Sequence, residues 1–351
     1  MRSRNARRAL AVLVTALVAA SGAACAPAPS SVRETRPALG TIVTVEAYGA
    51  DERATRDAID AAFGAIAEVE HALDAYSATS TIASFNARPY AVQELPDEAV
   101  EVLDEVERLG VGDAFSPTLL SVVRLYGFDS TPAVPSPDDL ALAVAAAQRF
   151  SRPTSATATF GRLPVADPRL DPDGPLAPGF DFGGAAKGLA LDRARDALRA
   201  RGVRAAIVTA GSTTVTLGTK PDGTPWRIGV EHPRATGEVM AVAEWAGDGA
   251  LSTSGDYQQF FERDGMRYHH VLDPRTGQPA HGLQSLTVAG RLSGLASDIL
   301  STALFVRGAR GALAYARERS VSVWLIDASG RVATHDGAAS SGVTIRSADT
   351  P

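Results

Sequence analysis

"FDFGGAAKGLALDRARDALRARGVRAAIVTA", residues 180 to 210, decides how this chain is built. The Gly183–Gly184 pair opens a helix, Gly202 closes it, and "AAIVTA" at 205–210 follows as a strand. The same alternation recurs on the N-terminal side. "TIVTVEAYG" at 41–49 alternates apolar and polar residues as a strand does. From 55 to 75, Ile59, Phe63, Ile66, Val69 and Leu73 fall at helical spacing and predict an amphipathic helix. Further helices are expected over 97–110, with Asp97 in the first turn and Gly110 at the end, and over 138–149. On the C-terminal side strands dominate: "TVTLG", "WRIGVEH", "VMAVAEWA", "LQSLTVAG" and "VSVWLIDASG", interrupted by helices at 295–308 and 309–319. The fold class is therefore α+β.

The stretch 163–180, rich in Pro, Asp and Gly, predicts an irregular surface loop. There is no internal repeat and no linker dividing two domains. A hydrophobic fraction of 45% and a charged fraction of 21% fit a globular chain of 351 residues with a substantial core. Arg2, Arg4, Arg7 and Arg8 precede the apolar run "ALAVLVTALVAA" and then "SGAAC", the pattern of an export signal. Cys25, the single cysteine, directly follows the small residues of the cleavage region, which points to a lipoprotein signal over 1–24, acylation at Cys25 and an anchor on the extracytoplasmic face of the cell membrane. A plain secretory signal is the alternative, since Gly22 stands where such signals usually have Leu. Residues 25–34 are expected as a flexible tether, 35–336 as one domain and 337–351 as a mobile tail. One cysteine excludes an internal disulfide. Loss of the signal removes four arginines and no acids, leaving 30 basic against 40 acidic residues and a charge of −10 in place of −6. So acidic a chain does not bind nucleic acid through general electrostatics.

Four stretches concentrate groups suited to chemistry. In "DFGGAAKG" (181–188) the Gly pair before a helix lets a phosphate approach backbone N–H groups, although such a pair is often only a tight turn. Lys187 is one of two lysines among 34 basic residues; its compact ammonium suits a phosphate or carbonyl oxygen in a confined space, against the plainer reading of a surface charge. In "SDILST", Asp298 and Thr302 lie four apart on one helix face and can give two oxygen ligands to a hard cation such as Mg2+, unless Asp298 caps the helix or pairs with an arginine. "HHVLDPRTG" (269–277) places two adjacent histidines, which a strand would point to opposite faces, ahead of a turn-forming Asp-Pro-Arg-Thr-Gly. No HxxxH or HExxH spacing favours zinc, so acid–base work by one histidine stands against a turn beside incidental histidines. "STSGDY" (252–257) reads as a hydroxyl-rich turn that orients phosphate or ribose hydroxyls or simply joins strands.

The order of these blocks along the chain carries more than any one of them. "ALGTIVTVEAYG", "LDAYSATSTIASFN", "GVGDAFSPTLLSVVRLYGF", "DFGGAAKGLALDRARDALRARGV", "PWRIGVEHP", "STSGDYQQFF", "YHHVLDPRTGQP" and "SDILSTALFVRG" together resemble the FAD:protein FMN transferases, the ApbE-type flavin transferases, over nearly all of the mature chain. The resemblance implies a mixed fold of antiparallel sheets and packed helices. It implies Mg2+-dependent cleavage of the FAD pyrophosphate, release of AMP, and transfer of FMN to a Ser or Thr hydroxyl of an acceptor flavoprotein. Carried over residue by residue, it makes Asp298, Thr302 and a backbone carbonyl near Gly184 the metal ligands. Leu39, Tyr76, Ala114, Phe115, Ser116, Asp181 and Lys187 become the flavin and adenine contacts, and His270 the catalytic histidine. Three positions depart from the family pattern: Ser116 replaces an Asp, "AGSTT" (210–214) replaces Gly-Gly-acid, and Leu39 replaces Met. Two other readings use the same groups: an FAD pyrophosphatase giving FMN and AMP, and a flavin-binding lipoprotein without catalysis.

Overall fold

The computed structural model describes residues 30–128, 130–337 and 342–348. The expected signal segment and Cys25 lie outside the described residues. In chain order the elements are β1 (Ser30–Ala38), β2 (Thr41–Gly49), α1 (Glu52–Leu73), α2 (Thr81–Asn86), β3 (Gln93–Glu94), α3 (Asp97–Leu109), α4 (Leu120–Tyr126), α5 (Pro137–Ala147), β4 (Phe150–Thr154) and β5 (Thr157–Phe160). There follow α6 (Ala186–Ala200), β6 (Ala205–Ala210), β7 (Thr213–Leu217), β8 (Trp226–His232), β9 (Ala235–Trp245), β10 (Gly249–Gly255), β11 (Phe260–Arg263), β12 (Met266–His269), β13 (Leu283–Gly290), α7 (Gly294–Arg319), β14 (Ser322–Asp327), β15 (Val332–Asp336) and β16 (Thr344–Ser347). No helix among the described residues is long and apolar enough to cross a membrane.

An antiparallel sheet of eight strands, ordered β1-β2-β6-β7-β10-β13-β14-β15, forms the spine. Side chains alternate across it, so each strand feeds two cores. On one face the sheet buries Val43, Val45, Val208, Val215, Ala250, Leu286 and Val288 against α1, α6 and α7. On the other face, Leu251, Ala289 and Trp324 meet Trp226, Ile228 and Trp245 of the small sheet β16-β9-β8. A third cluster joins α4, α5 and the β11–β12 ribbon, with Tyr126 stacked on Phe128 and Phe261 on Tyr268.

The amphipathic helix expected over 55–75 forms as α1, its apolar stripe Ile59, Phe63, Ile66, Val69 and Leu73 buried. The two helices expected over 295–319 are one run broken at Gly308, whose φ of 68° and ψ of 178° are non-helical. Three expectations fail. "STSGDY" is not a turn: Ser252–Gly255 complete β10 in the middle of the sheet, because their hydroxyls find partners on β7, β13 and α7. Residues 30–34 of the expected tether pair in β1, an edge strand where Arg, Glu and Pro are tolerated. Residues 344–347 of the expected mobile tail pair with β9, and Val343 and Ile345 are buried in the second core.

Candidate active site

The segment that opens α6 and the start of α7 meet face to face, and this contact builds the floor of the site. Gly188 lies so close to α7 that a Cβ there would sit 2.2 Å from the Gly294 carbonyl oxygen. Each helix caps the other. The Gly188 N–H donates to Asp298 Oδ2 at 3.0 Å, while Gly294 N–H and Leu295 N–H donate to the two carboxylate oxygens of Asp192 at 2.8 and 2.9 Å. A carboxylate at a helix N-terminus satisfies donors that have no intrahelical partner. Burial raises the Asp192 carboxyl above the usual range, and Arg195 at 2.9 Å acts in the opposite direction. Asp192 went unmarked in the sequence because its partners lie about a hundred positions downstream.

Asp298 is thereby fixed at the base of a cavity of about 1230 Å3 that is also lined by Leu39, Tyr76, Ala114–Ser116, Asp181, Gly184, Lys187, His270 and Thr302, but not by His269. Its Oδ1 accepts from Thr213 Oγ1 at 3.1 Å and from Ser252 Oγ at 3.0 Å. Lys187 Nζ stands 3.9 Å from Oδ2 and donates to the Gly183 carbonyl at 3.1 Å. The helix-capping alternative for Asp298 is thus realised, but on α6 rather than on its own helix. One turn along, Thr302 Oγ1 lies 3.1 Å from Ser254 Oγ. Gly184 is next to it: a Cβ there would come within 3.8 Å of Thr302 Oγ1 and 2.9 Å of the Phe115 ring. One buried carboxylate, one hydroxyl and a nearby backbone carbonyl are all hard oxygen donors, a set that fits Mg2+ with its remaining positions filled by water or phosphate oxygens. Among the described residues no three His, Cys, Asp or Glu side chains are grouped so as to hold a metal ion.

The adjacent histidines separate where β12 ends, His270 lying just beyond the strand. His269, the last residue of β12, is buried; its Nε2 donates to the Ala280 carbonyl at 2.8 Å and its ring meets Phe305 edge-on. Burial lowers its pKa. His270 turns into the cavity. Its Nδ1 lies 3.3 Å from the Gln259 carbonyl oxygen. Because a carbonyl only accepts, the proton belongs on Nδ1 and Nε2 is left as the basic atom. Desolvation pushes the His270 pKa down to about 4, with Lys187 and His269 adding to the fall, so the ring is neutral at pH 7. The turn predicted after it is present, with the Gly277 N–H donating to the Asp273 carbonyl and φ of 70° at Gly277.

The rim is built from distant loops. Tyr76 Oη donates to Asp181 Oδ2 at 2.8 Å, and Asp181 Oδ1 accepts from the Gly183 N–H at 2.8 Å. Ser116 Oγ pairs with Thr118 Oγ1 at 2.8 Å. Leu39 and Gly40 form the two-residue turn between β1 and β2, and both have positive φ, 56° and 65°. That pattern normally calls for Asn or Gly. A leucine held there, its N–H bonded to Glu70 Oε1 at 2.7 Å, places an apolar side chain at the cavity mouth at a cost in backbone strain.

The ApbE family model matches residues 39–325. An FAD:protein FMN transferase of Treponema pallidum is 31% identical over 295 residues, 80% of this chain and 80% of that protein. One from Rhodobacter capsulatus is 34% identical over 313 residues, covering 87% of this chain but only 57% of the relative's own length. Among solved structures, the ApbE protein of Thermotoga maritima superposes with a TM-score of 0.75 at 26% identity, covering 87% of this chain and 96% of that one. The apo flavinyl transferase ApbE of Pseudomonas stutzeri gives 0.69 at 30% identity, covering 91% and 95%.

Proposed function

The chain belongs to the ApbE family, and from that premise we propose that it transfers FMN from FAD to a Ser or Thr hydroxyl of an acceptor flavoprotein, releasing AMP. The observation that carries this reading is the convergence of His270, Lys187, Asp298 and Thr302 on one cavity. A neutral base, a cation and hard oxygen donors are what attack of a hydroxyl on a phosphoanhydride needs.

In the proposed reaction the acceptor hydroxyl loses its proton to Nε2 of His270 as its oxygen attacks the phosphorus of the FMN half. A new P–O bond forms, the bond to the bridging pyrophosphate oxygen breaks, and AMP leaves with that oxygen. The Gln259 carbonyl keeps the His270 proton on Nδ1, which holds Nε2 free. General-base help of this kind is worth about 10²- to 10⁴-fold. Lys187 adds positive charge beside the phosphates. Mg2+, held by Asp298, Thr302 and the Gly184 carbonyl, would supply further charge neutralisation at the pyrophosphate. Tyr76, Asp181, Leu39 and the Ala114–Ser116 segment line the space that receives the flavin and adenosine parts. Ser116, shorter and uncharged, offers the adenosine a hydroxyl that Thr118 already engages.

The test is mass spectrometry of an acceptor domain after incubation with FAD, with Mg2+ or with chelator. An FMN adduct that needs both the metal and His270 is expected. AMP release that is equally fast without acceptor indicates FAD hydrolysis, and tight FAD binding without AMP release indicates a non-catalytic flavin carrier; either sinks the transferase reading. From the export pattern and Cys25 we further propose that this activity sits at the extracytoplasmic face of the membrane through a lipid anchor. Release of a Cys25→Ser variant from the membrane fraction tests that placement.

A further inference from the structure

Asp298 is a carboxylate with most of its acceptor capacity already taken. A carboxylate offers about four lone-pair sites, two on each oxygen. Thr213 Oγ1 and Ser252 Oγ both donate to Oδ1, at 3.1 and 3.0 Å, and the Gly188 N–H donates to Oδ2 at 3.0 Å. Thr213 and Ser252 are fully buried, on the adjacent central strands β7 and β10, and face each other at 3.0 Å. Neither hydroxyl can swing away to solvent. What remains is one free position, on Oδ2, the oxygen near Lys187.

We infer that Thr213 and Ser252 are positioning residues that clamp Oδ1 of Asp298, so that this carboxylate meets a cation through Oδ2 alone and the site selects Mg2+-sized ions against Ca2+. The inference rests on the reading that Asp298 and Thr302 hold the cation. Its physical basis is the difference between the two ions. Mg2+ demands near-octahedral geometry and takes carboxylates through single oxygens, whereas Ca2+ takes more ligands and commonly both oxygens of one carboxylate. A carboxylate whose second oxygen is bound by two buried hydroxyls cannot open to the bidentate mode.

The neighbouring hydroxyls continue the arrangement. Ser301 Oγ donates to the Asp298 carbonyl at 3.0 Å, Ser254 Oγ lies 2.9 Å from Ser301 Oγ, and Thr302 Oγ1 lies 3.1 Å from Ser254 Oγ. With Ser301 committed to that carbonyl, Ser254 donates to Ser301 and Thr302 donates to Ser254. The chain thereby points the Thr302 proton into the protein and its lone pairs toward the cavity.

The experiment uses the whole mature protein and Thr213→Val, Ser252→Ala, the double variant, the conservative Thr213→Ser and Asp298→Ala. Binding of Mn2+ is followed by electron paramagnetic resonance of the free ion, with Mg2+ and Ca2+ as competitors and thermal unfolding recorded alongside. Wild type is expected to bind Mn2+, with Mg2+ the better competitor. Loss of outer ligand partners typically costs about 10- to 100-fold in metal affinity. The double variant should therefore bind Mn2+ at least tenfold more weakly, and the advantage of Mg2+ over Ca2+ should shrink several-fold, while Thr213→Ser keeps both wild-type values. A merely structural role for the pair would lower the unfolding temperature and leave the Mg2+ to Ca2+ ratio as it was. A folded double variant with unchanged Mn2+ affinity and unchanged ratio overturns the clamp alone. Wild-type Mn2+ binding that is absent, or indifferent to Asp298→Ala, overturns the metal reading and the clamp with it.

Discussion

Gly188→Ala probes the contact on which the whole site stands. The added Cβ would lie 2.2 Å from the Gly294 carbonyl oxygen, 2.5 Å from its carbon and 2.8 Å from Asp298 Cβ, all parts of a rigid helix start. Ordinary contact begins near 3.4 Å, so α6 and α7 must separate by about 1 Å. Overpacking of that kind costs about 1–3 kcal/mol. The separation also stretches the Gly188 and Gly294 hydrogen bonds to Asp298 and Asp192, and a bond to a charged group is worth about 1.5–3 kcal/mol. The total expected is about 3–5 kcal/mol, a large part of an ordinary domain's stability and a fall in Tm of roughly 5–10 °C. Displacement of Asp298 and Lys187 by about 1 Å should lower transfer by about a hundredfold in the molecules that remain folded. Differential scanning calorimetry and the FMN-adduct assay read the two effects. Gly64→Ala is the control: Gly64 lies in α1 with open space around its Cβ position, so alanine there should stabilise by about 1 kcal/mol and leave transfer unchanged. A Gly188→Ala protein with wild-type Tm and activity would refute the argument that this close approach sets the site.

Other consequences follow from single residues. His270→Ala should lower the rate of adduct formation by about 10²- to 10⁴-fold without abolishing FAD binding, measured by single-turnover kinetics and a binding titration. Since the His270 pKa is pushed down to about 4, the acidic limb of kcat/KM should fall near pH 4–5 rather than at 6.5, and a limb at 6.5 would contradict the desolvated neutral base. The sign for stability follows from the same shift: between pH 6.5 and about 4 the unfolded chain takes up a proton that the native state refuses, so stability declines with falling pH over that window and a His270→Gln variant should show a flatter decline in chemical denaturation. Leu39→Asn relieves a left-handed leucine and should raise stability by up to about 1 kcal/mol while raising the KM for FAD, since the apolar side chain at the cavity mouth is lost. Ile345→Ala should cost about 2–4 kcal/mol by urea denaturation, a result that a mobile tail would not give.

Sequence pattern revealed those parts of the fold whose signals are local. The stripes of α1 and α3, the Gly110 and Gly202 stops and the strand "AAIVTA" all announce themselves within about one element length. What stayed hidden depends on partners far along the chain. "LSTSG" has the composition of a turn because Ser and Gly are turn residues, and it becomes a central strand only because each hydroxyl finds a counterpart: Ser252 with Thr213 and Asp298, Thr253 with Thr287, Ser254 with Ser301 and Thr302. A buried hydroxyl with no partner is costly, so the strand depends on counterparts that only the rest of the sheet and α7 supply. The same holds for Asp192, which looks like any helical acid beside arginines until Gly294 and Leu295 present their N–H groups to it. The residues that hold Asp298 in place are therefore the ones that local pattern reads as bland. Spacing alone could set Asp298 beside Thr302, because one helix turn joins them, while the hydroxyls that orient Asp298 come from two strands brought together only when the sheet closes.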